Sequence, residues 1–105
     1  MRKQTLTDVR TPSSWRAEWA TLHDDGRLTV EGQSLSRGAD FFEHEWAFTI
    51  APADIPALVA MLRGADGDDP LALLETLFQA EARVDFRRLL DRHGVRFGFW
   101  SRVGD

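Results

Sequence analysis

Between residues 45 and 64 the apolar period of the chain changes from two to 3.6, and no other stretch restricts the possible folds as much. Trp46, Phe48 and Ile50 alternate with Glu45, Ala47 and Thr49, the pattern of a half-buried strand whose aromatic side meets a core. By the same parity Phe42 and His44 point inward, and Glu43 and Glu45 point outward. In "APADIPALVAMLRG", which follows at once, Ile55, Leu58, Val59 and Leu62 recur at helical spacing. Asp54 stands where a side-chain cap is expected, Pro56 falls in the first turn and Gly64 lies just past the end. A strand therefore leads straight into a helix.

Two more helices and a closing strand follow. Asp69 and Pro70 mark a helix start, with Leu71, Leu74, Leu77 and Phe78 turned inward. "DFRRLLDRHG" predicts a short third helix capped by Asp85, packed through Phe86, Leu89 and Leu90, and left through Gly94 in a left-handed conformation. Val95, Phe97 and Phe99 then alternate with Arg96, Gly98 and Trp100 as a last strand.

Upstream, Asp25-Gly26 signals a tight turn before a strand that carries Leu28 and Val30 on one side. Residues 15–22 fit two structures. A strand puts Trp15, Ala17, Trp19 and Thr21 on one side, whereas a helix capped by Ser14 aligns Trp15, Trp19 and Leu22; the turn that follows favours the strand. Residues 34–40, "SLSRGAD", read as a loop. Residues 1–13 are polar, contain Pro12 and show neither period, so they read as a mobile arm. The order predicts an α+β fold, a small antiparallel sheet with about three helices packed on one face, as a single domain over 14–105.

A chain of 105 residues suits one domain, and at 43% hydrophobic it can build a core without staples. The absence of cysteine excludes disulfides, thiolate zinc sites and cysteine nucleophiles. No stretch approaches the roughly 18 apolar residues of a membrane span, and the first residues lack the apolar segment of a secretion signal, so the expected location is the cytoplasm. A formal charge of -4 disfavours nucleic acid as a partner.

Little in the chain resembles catalytic or cofactor chemistry. In Glu43-His44-Glu45 neighbouring strand residues project to opposite sides, so the three cannot converge on one metal ion. A cluster of His23, His44 and His93 would need the fold to assemble it. The acidic run at 66–70 has hard oxygen ligands but lacks the spacing of a calcium loop, and it reads as a turn plus a helix cap. No phosphate-cradling glycine motif and no serine elbow is present. The basic residues of "DFRRLLDRHGVRF" are interleaved with two Asp, as on a solvated helix face. The expectation is a protein without catalytic residues, cofactor or metal.

Tryptophan is the more informative residue. Four occur in the chain, more than a small core needs, and tryptophan is enriched at binding interfaces. Trp46 shares its side with Phe48 and Ile50, as a core residue would. Trp100 stands opposite Phe97 and Phe99, between Arg96 and Arg102, and is a candidate rim aromatic.

"EHEWAFTIAPADIPALVAML" with "LLDRHGVRFGFWSRVGD" resembles small acidic stand-alone proteins of actinobacteria, in which a strand leads into a helix through P-x-D and the chain closes with H-G-x-x-x-x-x-W. The single lysine, Lys3, amid abundant Arg, Ala, Gly and Asp fits that style. Some such proteins resemble immunity proteins, which bind and block a toxin. The resemblance implies an immunity-like reading; small size, acidity, the excess of tryptophan and the lack of catalytic motifs support a protein-binding module, an immunity or antitoxin-like inhibitor acting by occlusion, and the acidic residues suit another protein with a basic surface as partner. It carries over no catalytic residue. Candidate contacts are Asp24 and Asp25 at the hairpin tip, Glu43 and Glu45 on the outer strand side, and Trp100. Two rivals remain: a small-molecule binder or enzyme with an aromatic-lined pocket between helices and sheet, and a structural or regulatory subunit docking through its arm.

Overall fold

The computed structural model describes residues 1–38 and 41–104, without the side chain of Phe41. Five strands form one antiparallel sheet in chain order: β1 (Arg2–Arg10), β2 (Ser14–Leu22), β3 (Leu28–Arg37), β4 (Phe41–Ile50) and β5 (Gly98–Gly104). Between β4 and β5 lie a 3-10 turn (Pro52–Asp54) and the helices α1 (Ile55–Met61), α2 (Pro70–Ala80) and α3 (Phe86–Arg92). The architecture is α+β, dominated by the sheet.

The strand alternative for residues 15–22 is correct. Gly26, at φ +87°, supplies the left-handed residue of the turn, and Asp25 accepts a hydrogen bond from the Arg27 N–H at 3.0 Å. Ala20, Leu28, Val30, Trp46, Phe48 and Ile50 then meet Leu58, Leu71, Leu74, Phe78, Phe86 and Leu90 in one buried cluster. That side of the sheet is called the core side below; the other is the outer side.

Three expectations along the sheet fail, the first being that the last strand includes Val95 and Phe97, which precede β5. Residues 2–10 are not an arm but an edge strand paired with β2. Backbone pairing and contacts with other elements hold it, including Arg2 with Asp69, Gln4 with Glu75 and a single buried apolar residue, Leu6. The register shifts between Thr5 and Thr7, and this bulge at Leu6 interrupts the alternation that would have announced a strand. The loop expected from residue 34 begins later, because β3 continues to Arg37 opposite β4. Residues 39 and 40 lie outside the described part.

The helix signals at Asp69, Asp85 and Gly94 are all used. Asp69 accepts from the Leu71 N–H at 3.1 Å, Asp85 from the Arg88 N–H at 3.1 Å, and Gly94 takes φ +66°. Around α1 the signals mislead. Asp54 makes no side-chain cap, since the 3-10 turn ends on it and its own backbone is helical. The left-handed exit falls on Arg63, at φ 63°, rather than on Gly64. Gly64 is needed for space: a Cβ there would stand 2.5 Å from Leu73 Cδ1 and 3.0 Å from Val59 Cγ1, where α1 closes on α2.

Candidate functional site

Three of the four tryptophans stand on the outer side. Antiparallel pairing sets Trp19 opposite Glu31, Glu31 opposite Ala47, and Ala47 opposite Trp100, so these four form one row across β2 to β5. At the usual strand spacing the row spans about 14 Å. The small side chain of Ala47 leaves a trough between the two indoles, with Gln33 and Glu45 in the next row; its volume is about 230 Å³.

The trough is acidic as well as aromatic. Glu45 bonds Arg102 across the strand pair at 3.5 Å. Glu31 accepts from the Thr29 hydroxyl at 3.2 Å and Glu43 from the Gln33 amide at 3.1 Å; among the described residues neither is in an ion pair. Trp19 already carries a cation, with Lys3 Nζ 5.1 Å from its ring centroid, and Arg10 lies likewise over Trp15 at 5.1 Å. Among the described residues Trp100 carries none, and it is 53% exposed.

Of the five residues singled out from sequence, the fold brings Glu43, Glu45 and Trp100 onto this outer side. Asp24 and Asp25 sit in the β2–β3 turn, beside the opposite end of β4 from Glu43 and about 23 Å along the strand. Asp24 accepts from the Met1 amino group, which holds its carboxyl below the ordinary range. Sequence reasoning missed Trp19 and Glu31. Their place in the row follows from strand order, which a single sequence does not disclose.

The core side holds a second concavity, between the sheet and the start of α3. Gly32 lies between Glu18 and Trp46 in register, and the Trp46 indole occupies the space a side chain at Gly32 would need. Arg16 lies over that indole at 4.9 Å and bonds Glu18 through Nε at 3.3 Å. Glu18 is only 6% exposed, and burial pushes its carboxyl above the ordinary glutamate value although Arg16 and Thr7 act the other way. His44 packs beside Trp46 with ring centroids 5.0 Å apart.

The three histidines are not assembled. His23 shares a 2.9 Å hydrogen bond with Thr29, while His93 follows α3. Among the described residues no group of three or more His, Cys, Asp or Glu is placed to hold a metal ion, and no helix is long and apolar enough to cross a membrane. Comparisons with protein-family models, with curated proteins and with solved structures find no match.

Proposed function

We propose that this chain is a non-catalytic protein-binding module, an inhibitor of the immunity or antitoxin kind that acts in the cytoplasm by occluding a basic surface of another protein. The helices, on this reading, cover one face of the sheet and leave the outer face for the partner. The row Trp19–Glu31–Ala47–Trp100 carries the reading. Indoles at the two ends of a row that carries a carboxylate suit a surface bearing arginine or lysine, whose side chains gain attraction from ring and charge. Lys3 over Trp19 is an intramolecular example of that contact. Trp100 supplies the large, few-rotor apolar area typical of interface anchors.

Site-specific photo-crosslinking in the source cells tests the assignment. A crosslinking residue at Gln33, beside the trough, should capture a basic protein, whereas one at Arg88 on α3 should not. Capture from position 88 alone, or only of further copies of this chain, would remove the outer face as the binding surface.

A further inference from the structure

We propose that the cleft on the core side, between the sheet and the start of α3, binds a small organic anion consisting of an apolar ring-bearing body and a carboxylate. This goes beyond the protein-binding reading and rests on the opposite side of β5.

The cleft measures about 460 Å³, within the range of roughly 300–1,000 Å³ found for small-molecule sites. Its floor is aromatic: Trp46 and Phe48 from β4, with Phe86 meeting Phe48 edge-on at 5.2 Å. Phe99 closes one wall, 42% exposed, its ring centroid 4.9 Å from that of Phe48. Such a surface favours a flat apolar body over a compact hydrated ion.

The rim selects the charge. Arg16 stands over Trp46 on one side, and Arg87 stands over Phe99 on the other, 4.8 Å from the ring centroid. Arg83 lines the same opening. Among the described residues, two carboxylates line the cleft with these three guanidinium groups. Asp85 is turned to the Arg88 N–H as the α3 cap, and Glu18 is bound to Arg16 Nε, which leaves the terminal nitrogens of Arg16 for another acceptor. Among the described residues Arg83 and Arg87 take part in no ion pair. In a chain of net charge -4 this is a local cationic excess over an apolar floor. A guanidinium beside a ring keeps N–H donors for a carboxylate, which it can pair through two parallel hydrogen bonds.

Titration of the protein with 3-phenylpropionate, followed by NMR of the four indole N–H groups, tests the site. The account expects saturable movement of the Trp46 signal, with Trp15, Trp19 and Trp100 unmoved. The cation 3-phenylpropylamine should leave the Trp46 signal in place. Arg87→Ala should weaken binding about tenfold, the usual scale for one charge-assisted contact, while Arg88→Ala should not. Arg83→Ala provides a second test should Arg87→Ala disturb α3. Equal movement of the Trp46 signal by the amine, equal movement of all four indoles by 3-phenylpropionate, or no saturation at millimolar ligand would overturn the proposal. Trp100→Ala should leave this titration unchanged, so failure here is distinguishable from failure of the outer-face reading.

Discussion

The Trp46 indole lies where a side chain at Gly32 would stand, so the bare backbone of β3 is part of the packing of β4. The pair also sets the floor on which Arg16 rests. Gly32→Ala should therefore cost about 1–3 kcal/mol, the range for overpacking a filled site, and should alter Trp46 fluorescence. Gly98→Ala is the matched control, because an added Cβ there comes no nearer than 3.8 Å to Thr49. Its effect should stay within about 0.5 kcal/mol, as at ordinary surface sites. Urea denaturation of both variants gives the comparison.

Adjacent strand residues should differ sharply in what they contribute. Phe48 is buried against Phe86, Phe97 and Phe99, whereas Thr49 lies on the outer side. Phe48→Ala should cost about 3–5 kcal/mol and Thr49→Ala far less. Equal losses in denaturation midpoint would contradict the register of β4.

Glu18 makes stability depend on pH in a definite direction. Its folded value lies above the ordinary glutamate value because burial penalises the charged form. Between those two values the folded state holds more protons than the unfolded state, so the Glu18 contribution falls as pH rises through that window. Above the raised value the penalty is fully present. The melting temperature of wild type minus that of Glu18→Gln should therefore decrease as pH rises through the window. A difference that grows with pH would contradict the burial of this carboxyl.

Asp69 joins two elements, accepting from the Leu71 N–H at the head of α2 and pairing with Arg2 of β1 at 2.6 Å. Its carboxyl is held below the ordinary range, first by the bond from Arg2, so this contribution is present above the ordinary aspartate value and is lost as pH falls through the lowered one. Asp69→Ala should cost about 1 kcal/mol, as cap removal does. Arg2→Ala should cost less, since that side chain is largely exposed. Thermal melts at neutral pH distinguish the two.

The parts of the fold visible in the sequence were those written in local patterns. Asp69-Pro70, Asp85 and Gly94 act through bonds and dihedrals a few residues away, and the alternation of Trp46, Phe48 and Ile50 reports one buried side. β1 was invisible because it buries one apolar residue across a bulge and is held by Asp69, Glu75 and Trp19, all distant in sequence. The candidate trough was half visible for a similar reason. Trp100, Glu43 and Glu45 could be assigned a strand side by parity, but Trp19 and Glu31 join them only through the order of β2 to β5. Asp24 and Asp25 look alike in sequence to the other acids, and only the hairpin geometry sets them apart.

The binding reading stands or falls on Trp100. Calorimetric titration of the partner captured from position 33 with wild type and with Trp100→Ala, at low and at high salt, measures its contribution directly. The account predicts a loss of about 2 kcal/mol or more, roughly a thirtyfold rise in Kd, with an unchanged melting temperature and with wild-type affinity falling as salt rises. An unchanged Kd for Trp100→Ala, or an affinity indifferent to salt, would contradict it.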